Sequence, residues 1–308
     1  MEARNENLLV VLGATASGKT GLGARLAHAL GGEVISADSR QVYRGLDIGS
    51  GKDLHEYLVE GHQVPYHLID VCGLDEEYSL FAWQQAFYHC FEDIRGRGAL
   101  PVLVGGTGLY LEAALQGYRM VEAPPDVALR AELARFSDHE LRHRLLALQP
   151  QQHNQTDLVD RDRMIRAIEI AQATLDRPPD PAPEIRAFIL GIAWPRAVLR
   201  DRIARRLRER LSAGLIEEVA ALHDAGHTWE RLELLGLEYR YVSQYLRGEI
   251  RNRNDLFQRL DSAICQFAKR QDTWFRRMER RGINIHWIPE GRWDAAWALA
   301  RPRLGRRP

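Results

Sequence analysis

The chain opens on a compact apolar run, Leu8-Leu-Val-Val-Leu12, that ends in glycine and gives way to leucines spaced four apart. A short apolar run bounded by turn residues reads as a buried strand. Leu22, Leu26 and Leu30 read as one face of a helix over residues 19–30, closed by Gly31-Gly32. The alternation continues with predicted strands at residues 33–38 and 66–71. Ser79 is placed to cap a helix whose inner face is Leu80, Trp83, Phe87, Phe91 and Ile94. A further buried strand, Leu100-Pro-Val-Leu-Val-Gly105, runs through Gly106-Thr107-Gly108 into another helix. Strand–helix alternation of this kind predicts an α/β fold with a doubly wound parallel sheet and ligands at the carboxyl ends of its strands.

From about residue 120 the pattern changes. Residues 126–175 carry helical patterns dense in arginine and no strand, and Arg177-Pro-Pro-Asp-Pro-Ala-Pro183 reads as a linker, because closely spaced prolines break helix and sheet alike. Strand character returns at residues 187–194. Arginine-rich helices over 196–213 and 254–281 follow, then a last strand at 283–288. The simplest division is a helical insertion, 120–182, set into an α/β core of 1–119 plus 183–308. The helix at 254–281 spaces Leu256, Leu260, Ile264, Phe267, Gln271, Trp274 and Met278 three or four apart, the spacing of a core stripe.

Composition is that of an ordinary globular chain, 45% hydrophobic and 27% charged. No apolar run reaches the ~20 residues that span a bilayer, and the first residues lack the apolar core of a signal peptide, so a cytoplasmic location is expected. Cys72, Cys90 and Cys265 stand apart, which suggests neither a disulfide framework nor a zinc cluster, and no histidine-bound metal is assigned. The formal net charge of zero hides an asymmetry. Residues 200–308 carry 23 Arg and Lys against 15 Asp and Glu. That basic half fits either a polyanionic partner or a solvated arginine-rich surface. Against so much arginine, the three lysines (Lys19, Lys52 and Lys269) stand out.

One of them lies in Gly13-Ala-Thr-Ala-Ser-Gly-Lys-Thr20, a phosphate-loop pattern between a predicted strand and a predicted helix. Its backbone N–H groups form a concave anion site at a helix N-terminus, Lys19 adds a point charge, and the Thr20 hydroxyl suits a Mg²⁺ ion. Gly13, Ala14, Thr15, Ala16, Ser17, Gly18, Lys19 and Thr20 are therefore the expected diphosphate-binding residues. Gly49-Ser-Gly-Lys52 lacks the first glycine and the preceding strand, and reads as a flexible turn. Asp38, at a strand end, is a candidate general base, with a helix cap or an indirect Mg²⁺ ligand as alternatives. Thr107 brings a hydroxyl to the same crevice, although close strand–helix packing explains its glycines equally well. Arg202, Arg205 and Arg206 are a solvated surface, or arginines directed at a diphosphate; Lys269, Arg270, Arg276 and Arg277 likewise fit a solvated face or a nucleic-acid contact.

Taken together, Gly13–Thr20, Ile35-Ser-Ala-Asp-Ser-Arg-Gln-Val-Tyr-Arg-Gly-Leu-Asp-Ile-Gly49, Pro65-Tyr-His-Leu-Ile-Asp70, Pro101-Val-Leu-Val-Gly-Gly-Thr-Gly-Leu-Tyr110, Ala213-Gly-Leu-Ile-Glu-Glu-Val219 and Ala268-Lys-Arg-Gln-Asp-Thr-Trp-Phe-Arg276 resemble the tRNA dimethylallyltransferase family, in order, over nearly the whole chain. The resemblance implies transfer of a dimethylallyl group from its diphosphate to N6 of the adenosine 3′-adjacent to the anticodon. The loop then holds a leaving pyrophosphate, with Mg²⁺ as cofactor and Arg202 and Arg206 at the diphosphate. Asp38 matches the family's general base and Thr107 the hydroxyl that holds the amine, with Lys19 stabilising the leaving group. Ser39, Arg40 and Gln41, then Arg130, Asp162, Arg163, Met164, Ile165 and Arg166 in the insertion, and Lys269, Arg270 and Gln271 match tRNA contacts, together with Asp38 and Thr107. Residues 50–60 depart from the Thr-Ala-Lys-Pro stretch usual in the family. A membrane partner is not expected, and a monomer is. The competing enzyme class is a small-molecule kinase using the same loop for ATP, with the insertion as its lid; a nucleotide-gated RNA-binding module is the third reading.

Overall fold

A computed structural model describes residues 6–118, 120–148, 158–176 and 181–305. The proline linker of the sequence reading lies partly outside these, at residues 177–180. Two compact units are present, one formed by residues 1–116 and 183–308 and the other by residues 117–182.

The first unit begins with β1 (Leu8–Gly13), every residue of which is buried, and α1 (Lys19–Leu30), ended by Gly31 in the left-handed conformation. β2 (Gly32–Ala37) follows, then a hairpin of β3 (Leu58–Val59) and β4 (His62–Gln63), and β5 (Tyr66–His67). The strand predicted over residues 66–71 is thus only two residues long, because from Leu68 the chain turns through left-handed conformations at Leu68 and Asp70. α2 (Leu80–Gly96) is capped by Ser79, which accepts from the Ala82 N–H, and buries Trp83, Phe87, Phe91 and Ile94. β6 (Leu100–Gly105) leads into α3 (Gly108–Leu115).

In the second unit, α4 (Val127–Leu133), α5 (Asp138–Leu148) and α6 (Arg161–Asp176) pack around Leu133, Leu141, Leu145, Met164 and Ile168. The chain then returns to the first unit with β7 (Ala187–Ala193), α7 (Arg196–Ser212), α8 (Leu215–Asp224), α9 (Trp229–Leu234), α10 (Leu237–Leu246), α11 (Arg253–Arg280), β8 (His286–Pro289) and α12 (Trp293–Leu304).

The main sheet runs β5-β2-β6-β1-β7-β8 and all its pairings are parallel. Its two faces bury separate apolar clusters, Trp83, Phe87 and Phe275 among the residues on one side and Leu22, Leu26 and Tyr57 on the other. This is the predicted α/β fold. β1 lies between β6 and β7, with β2 beside β6, so the carboxyl ends of β1, β2 and β6 open onto one crevice.

Candidate active site

Three chain segments leave those strand ends together. After β1 the loop folds back on itself, with the Ser17 N–H donating to the Ala14 carbonyl at 3.2 Å. Ala16 and Gly18 adopt positive φ, 59° and 85°. Gly18 is the residue preceding α1, and glycine tolerates that left-handed geometry without strain. The Ser17 side chain is buried beneath the loop, and the residue lines no part of the crevice.

The loop is braced from outside. The Trp194 indole N–H donates to the Ser17 carbonyl at 3.0 Å, and Arg202 Nε donates to the Ala16 carbonyl at 2.8 Å while its guanidinium stacks 4.2 Å from the Trp194 ring. Gln271 accepts from the Thr15 N–H at 2.9 Å and donates to the Gly106 carbonyl at 2.8 Å.

β2 ends at Ala37, which places Asp38 one residue beyond the sheet. One Asp38 oxygen accepts from the Arg40 N–H at 2.9 Å, and Thr107 Oγ1 accepts from the Ser39 N–H at 3.2 Å. The Thr107 N–H donates in turn to the Ala37 carbonyl at 3.3 Å. The backbone of the Asp38 turn therefore fixes the threonine, and both side chains line the same cavity as Thr15, Gly18, Lys19 and Thr20, a space of about 1080 Å³. Among the described residues no hydrogen bond engages the other Asp38 oxygen.

Lys19 donates to the Ala14 carbonyl at 3.4 Å. Its pKa is lowered to about 8, chiefly because burial disfavours its charge, with Asp38 opposing the shift and Arg206 adding to it.

The far wall comes from residues to which sequence reasoning gave no role in the site. Residues 47–49 offer three successive N–H groups to Glu218, at 3.1, 2.7 and 3.0 Å, and the same carboxylate accepts from the Tyr239 hydroxyl at 2.8 Å. Lys52 is buried and pairs with Asp47 at 2.6 Å and with Asp70. Residues 49–52 are therefore a fastened turn, not a flexible one; the rarity of lysine in the chain was the one available signal. Glu56 lies against the first turn of α1, its carboxylate 3.7–3.9 Å from where a Cβ on Gly21 would sit, and its pKa is raised by burial and by nearby Asp53.

Several of the predicted tRNA contacts are engaged within the protein. Gln41 is buried, accepting from the Ser36 hydroxyl and donating to the Gly51 carbonyl. Gln271 has both amide atoms occupied by the loops. Met164 is fully buried in the core of the insertion, because α5 covers that face of α6. Ile165 packs partly against the same core, and Arg130 and Arg166 both hold Glu169. Asp162, Arg163, Lys269 and Arg270 are exposed, and Ser39 and Arg40 half-exposed at the cavity. On α11, Ala268 and Phe275 occupy the buried stripe in place of Phe267 and Trp274, which line the cavity instead.

The histidine pairs His139/His143 and His223/His227 do have four-residue spacing, but among the described residues no group of three or more His, Cys, Asp or Glu could hold a metal ion. Nor, among those residues, is any helix long and apolar enough to cross a membrane.

A glycine loop, a lysine, and a carboxylate tied to a hydroxyl, all at the carboxyl edge of one parallel sheet, define a P-loop transferase. A family model described as IPP transferase matches residues 41–278, and a second, isopentenyl transferase, matches residues 6–67. The chain belongs to the IPP transferase family. It is 60% identical to a protein named tRNA dimethylallyltransferase 2 from Trichlorobacter lovleyi, over 92% of each chain, and 58% identical to one of the same name from Syntrophotalea carbinolica, over 96% of this chain and 98% of the other. The full-length tRNA isopentenylpyrophosphate transferase of Bacillus halodurans matches it with a TM-score of 0.67 at 33% identity, over 93% of this chain and 90% of that one. A eukaryotic dimethylallyltransferase acting on tRNA shares the fold, with a TM-score of 0.76 at 23% identity, over 96% and 78%. These relatives favour the transferase over the kinase reading.

Proposed function

We propose that this protein transfers a dimethylallyl group from dimethylallyl diphosphate to N6 of the adenosine 3′-adjacent to the anticodon of tRNA, releasing pyrophosphate. The observation that carries the reading is the Asp38–Thr107 pair facing the phosphate loop across one cavity. The adenine amine, splayed out of the anticodon loop, reaches the two side chains from the cavity mouth. Thr107 orients the amine, its nitrogen attacks C1 of the dimethylallyl group, and Asp38 accepts the amine proton as the C–N bond forms. The C–O bond to the diphosphate breaks, and the loop amides and Lys19 take up the charge that grows on the leaving oxygens.

Magnesium fits the residues present. Thr20 and the Glu56 carboxylate supply hard oxygen donors at the start of α1, the donor type that suits an ion sharing its ligands with substrate phosphates. When bound, it would neutralise diphosphate charge beside Thr20.

Exposed Asp162 and Arg163, with Arg130 and Arg166, offer the insertion's surface to the anticodon stem, and Ser39, Arg40 and Arg270 offer a second, at the cavity, with Lys269 exposed beside Arg270. The reading further supposes a monomer acting in the cytoplasm, where tRNA is found. Incubation with dimethylallyl diphosphate, Mg²⁺ and unmodified tRNA, followed by nucleoside mass spectrometry, tests the whole. A dimethylallyl adenosine beside the anticodon is expected; ATP turnover without prenyl transfer would sink the proposal.

A further inference from the structure

Arg202, Arg206 and Arg210 stand four residues apart on α7, and all three line the cavity above the phosphate loop. Each is held differently. Arg202 is fixed by the Ala16 carbonyl and Trp194. Arg210 is tied to the Gly49 carbonyl at 3.3 Å and Glu238 at 3.2 Å. Arg206 pairs with Asp53, from the segment where the chain departs from its family's usual sequence.

That segment is shaped around the arginines. Gly51 has φ +64°, and a Cβ there would strike the guanidinium groups of Arg206 and Arg210. Asp53 precedes a short 3₁₀ turn, Leu54–Tyr57, in a left-handed conformation (φ 45°), yet its side chain caps nothing in that turn. Its carboxylate goes to Arg206 instead. Burial opposes its ionisation, but Arg206 and Arg210 hold its pKa below the ordinary value. The Arg206 and Asp53 side chains are 29% and 31% exposed, so a solute in the cavity reaches the pair.

We propose that Asp53 is a resident counter-ion for Arg206, holding in the donor-free site the guanidinium that a diphosphate takes on binding, and so setting donor affinity and discrimination by charge. The inference rests on reading the loop as the diphosphate site. A half-exposed ion pair contributes little net stability, so it is exchanged readily. A diphosphate brings more charge than one carboxylate and presents oxygens in the bidentate geometry that arginine prefers, whereas a weakly charged ligand gains too little to displace Asp53.

The test is calorimetric binding of pyrophosphate and of inorganic orthophosphate, each with Mg²⁺, to the full chain and to Asp53→Asn, Arg206→Gln and the double variant. Asp53→Asn is expected to bind pyrophosphate ~3–10-fold more tightly and to prefer it less over orthophosphate, as removal of a competing charge near the site requires. Arg206→Gln is expected to bind more weakly, and the double variant no more tightly than Arg206→Gln. Unchanged or weaker binding by Asp53→Asn would overturn the inference, as would a gain that persists without Arg206. Asp53→Ser replaces Asp53→Asn if that variant fails to fold. A parent chain that binds no pyrophosphate overturns the reading of the loop and this inference together; parent binding without the gain overturns the inference alone.

Discussion

Gln271 on α11 and Thr15 in the phosphate loop are joined by a 2.9 Å hydrogen bond, the side-chain carbonyl accepting from the loop's backbone N–H. The amide nitrogen of the same side chain donates to Gly106, beside Thr107. One buried residue thus sets the spacing between the phosphate loop and the turn that carries Thr107.

Gln271→Leu keeps the volume and removes both bonds. A buried amide left unpaired costs about 1–3 kcal/mol. The variant is expected to melt several degrees lower, with a higher KM for dimethylallyl diphosphate and a lower kcat. Steady-state kinetics and thermal melts measure both; a lower Tm with unaltered kinetics would show that Gln271 braces the fold alone.

Asp38→Ala is expected to lower turnover by ~10²–10⁴ while leaving tRNA affinity nearly intact, as loss of a general base does. Its free oxygen is the only part lost to chemistry, because the Arg40 N–H it caps is exchanged for water at a half-exposed turn. Filter binding and single-turnover rates separate the two effects. A large loss of tRNA affinity would assign Asp38 to binding or folding.

How much of this was legible in the sequence follows the distance over which each contact acts. The phosphate loop, Asp38 and Thr107 sit at strand ends, where local pattern places them, and all three reach one cavity as read. Gln271 and Glu218 depend on segments tens to hundreds of residues away, and Gln41 and Lys52 on turns whose folding brings nearer residues back; period and composition carry no trace of those partners. Family resemblance alone places Met164 among the tRNA contacts; the packing of α5 shows that it faces inward. On α11, the aromatic residues Phe267 and Trp274 fitted the apolar period, but the crevice between the sheet edge and the helix needs lining as well, and small Ala268 takes the buried place.

Lys19 gives a pH signature. Its pKa of about 8 lies below the ordinary 10.5, so in the free site Lys19 loses its positive charge as pH rises through about 8. Diphosphate affinity is expected to fall above that pH. Folding stability moves the other way: the charged form is disfavoured in the fold, so this residue's contribution improves from about pH 8 towards 10.5. Calorimetric binding of pyrophosphate from pH 7 to 9.5 checks the first trend, with Lys19→Arg expected to flatten it. A parent chain and variant with the same profile would remove Lys19 as the titrating group.

The last prediction concerns the insertion. Glu169 is buried and accepts from Arg130 at 2.7 and 2.9 Å, from the Asp126 N–H at 2.9 Å and from Arg166 at 3.1 Å. Burial alone would raise its pKa, but these donors hold it down to about 2. A depressed carboxyl pKa stabilises the fold at pH values above its unfolded value of 4.5, and that stabilisation is lost as pH falls towards 2. The join of α4 to α6 should therefore loosen in acid, and the NMR methyl signals of Met164 and Ile168, in the core beneath it, report the change. Glu169→Gln lacks the charge, so it should show looser packing already at neutral pH and no such acid transition. It should also bind tRNA less tightly, because Glu169 holds Arg130 and Arg166, two of the residues proposed to meet the anticodon stem. A parent insertion whose methyl signals hold unchanged down to pH 2 would show that Glu169 does not fasten the two helices.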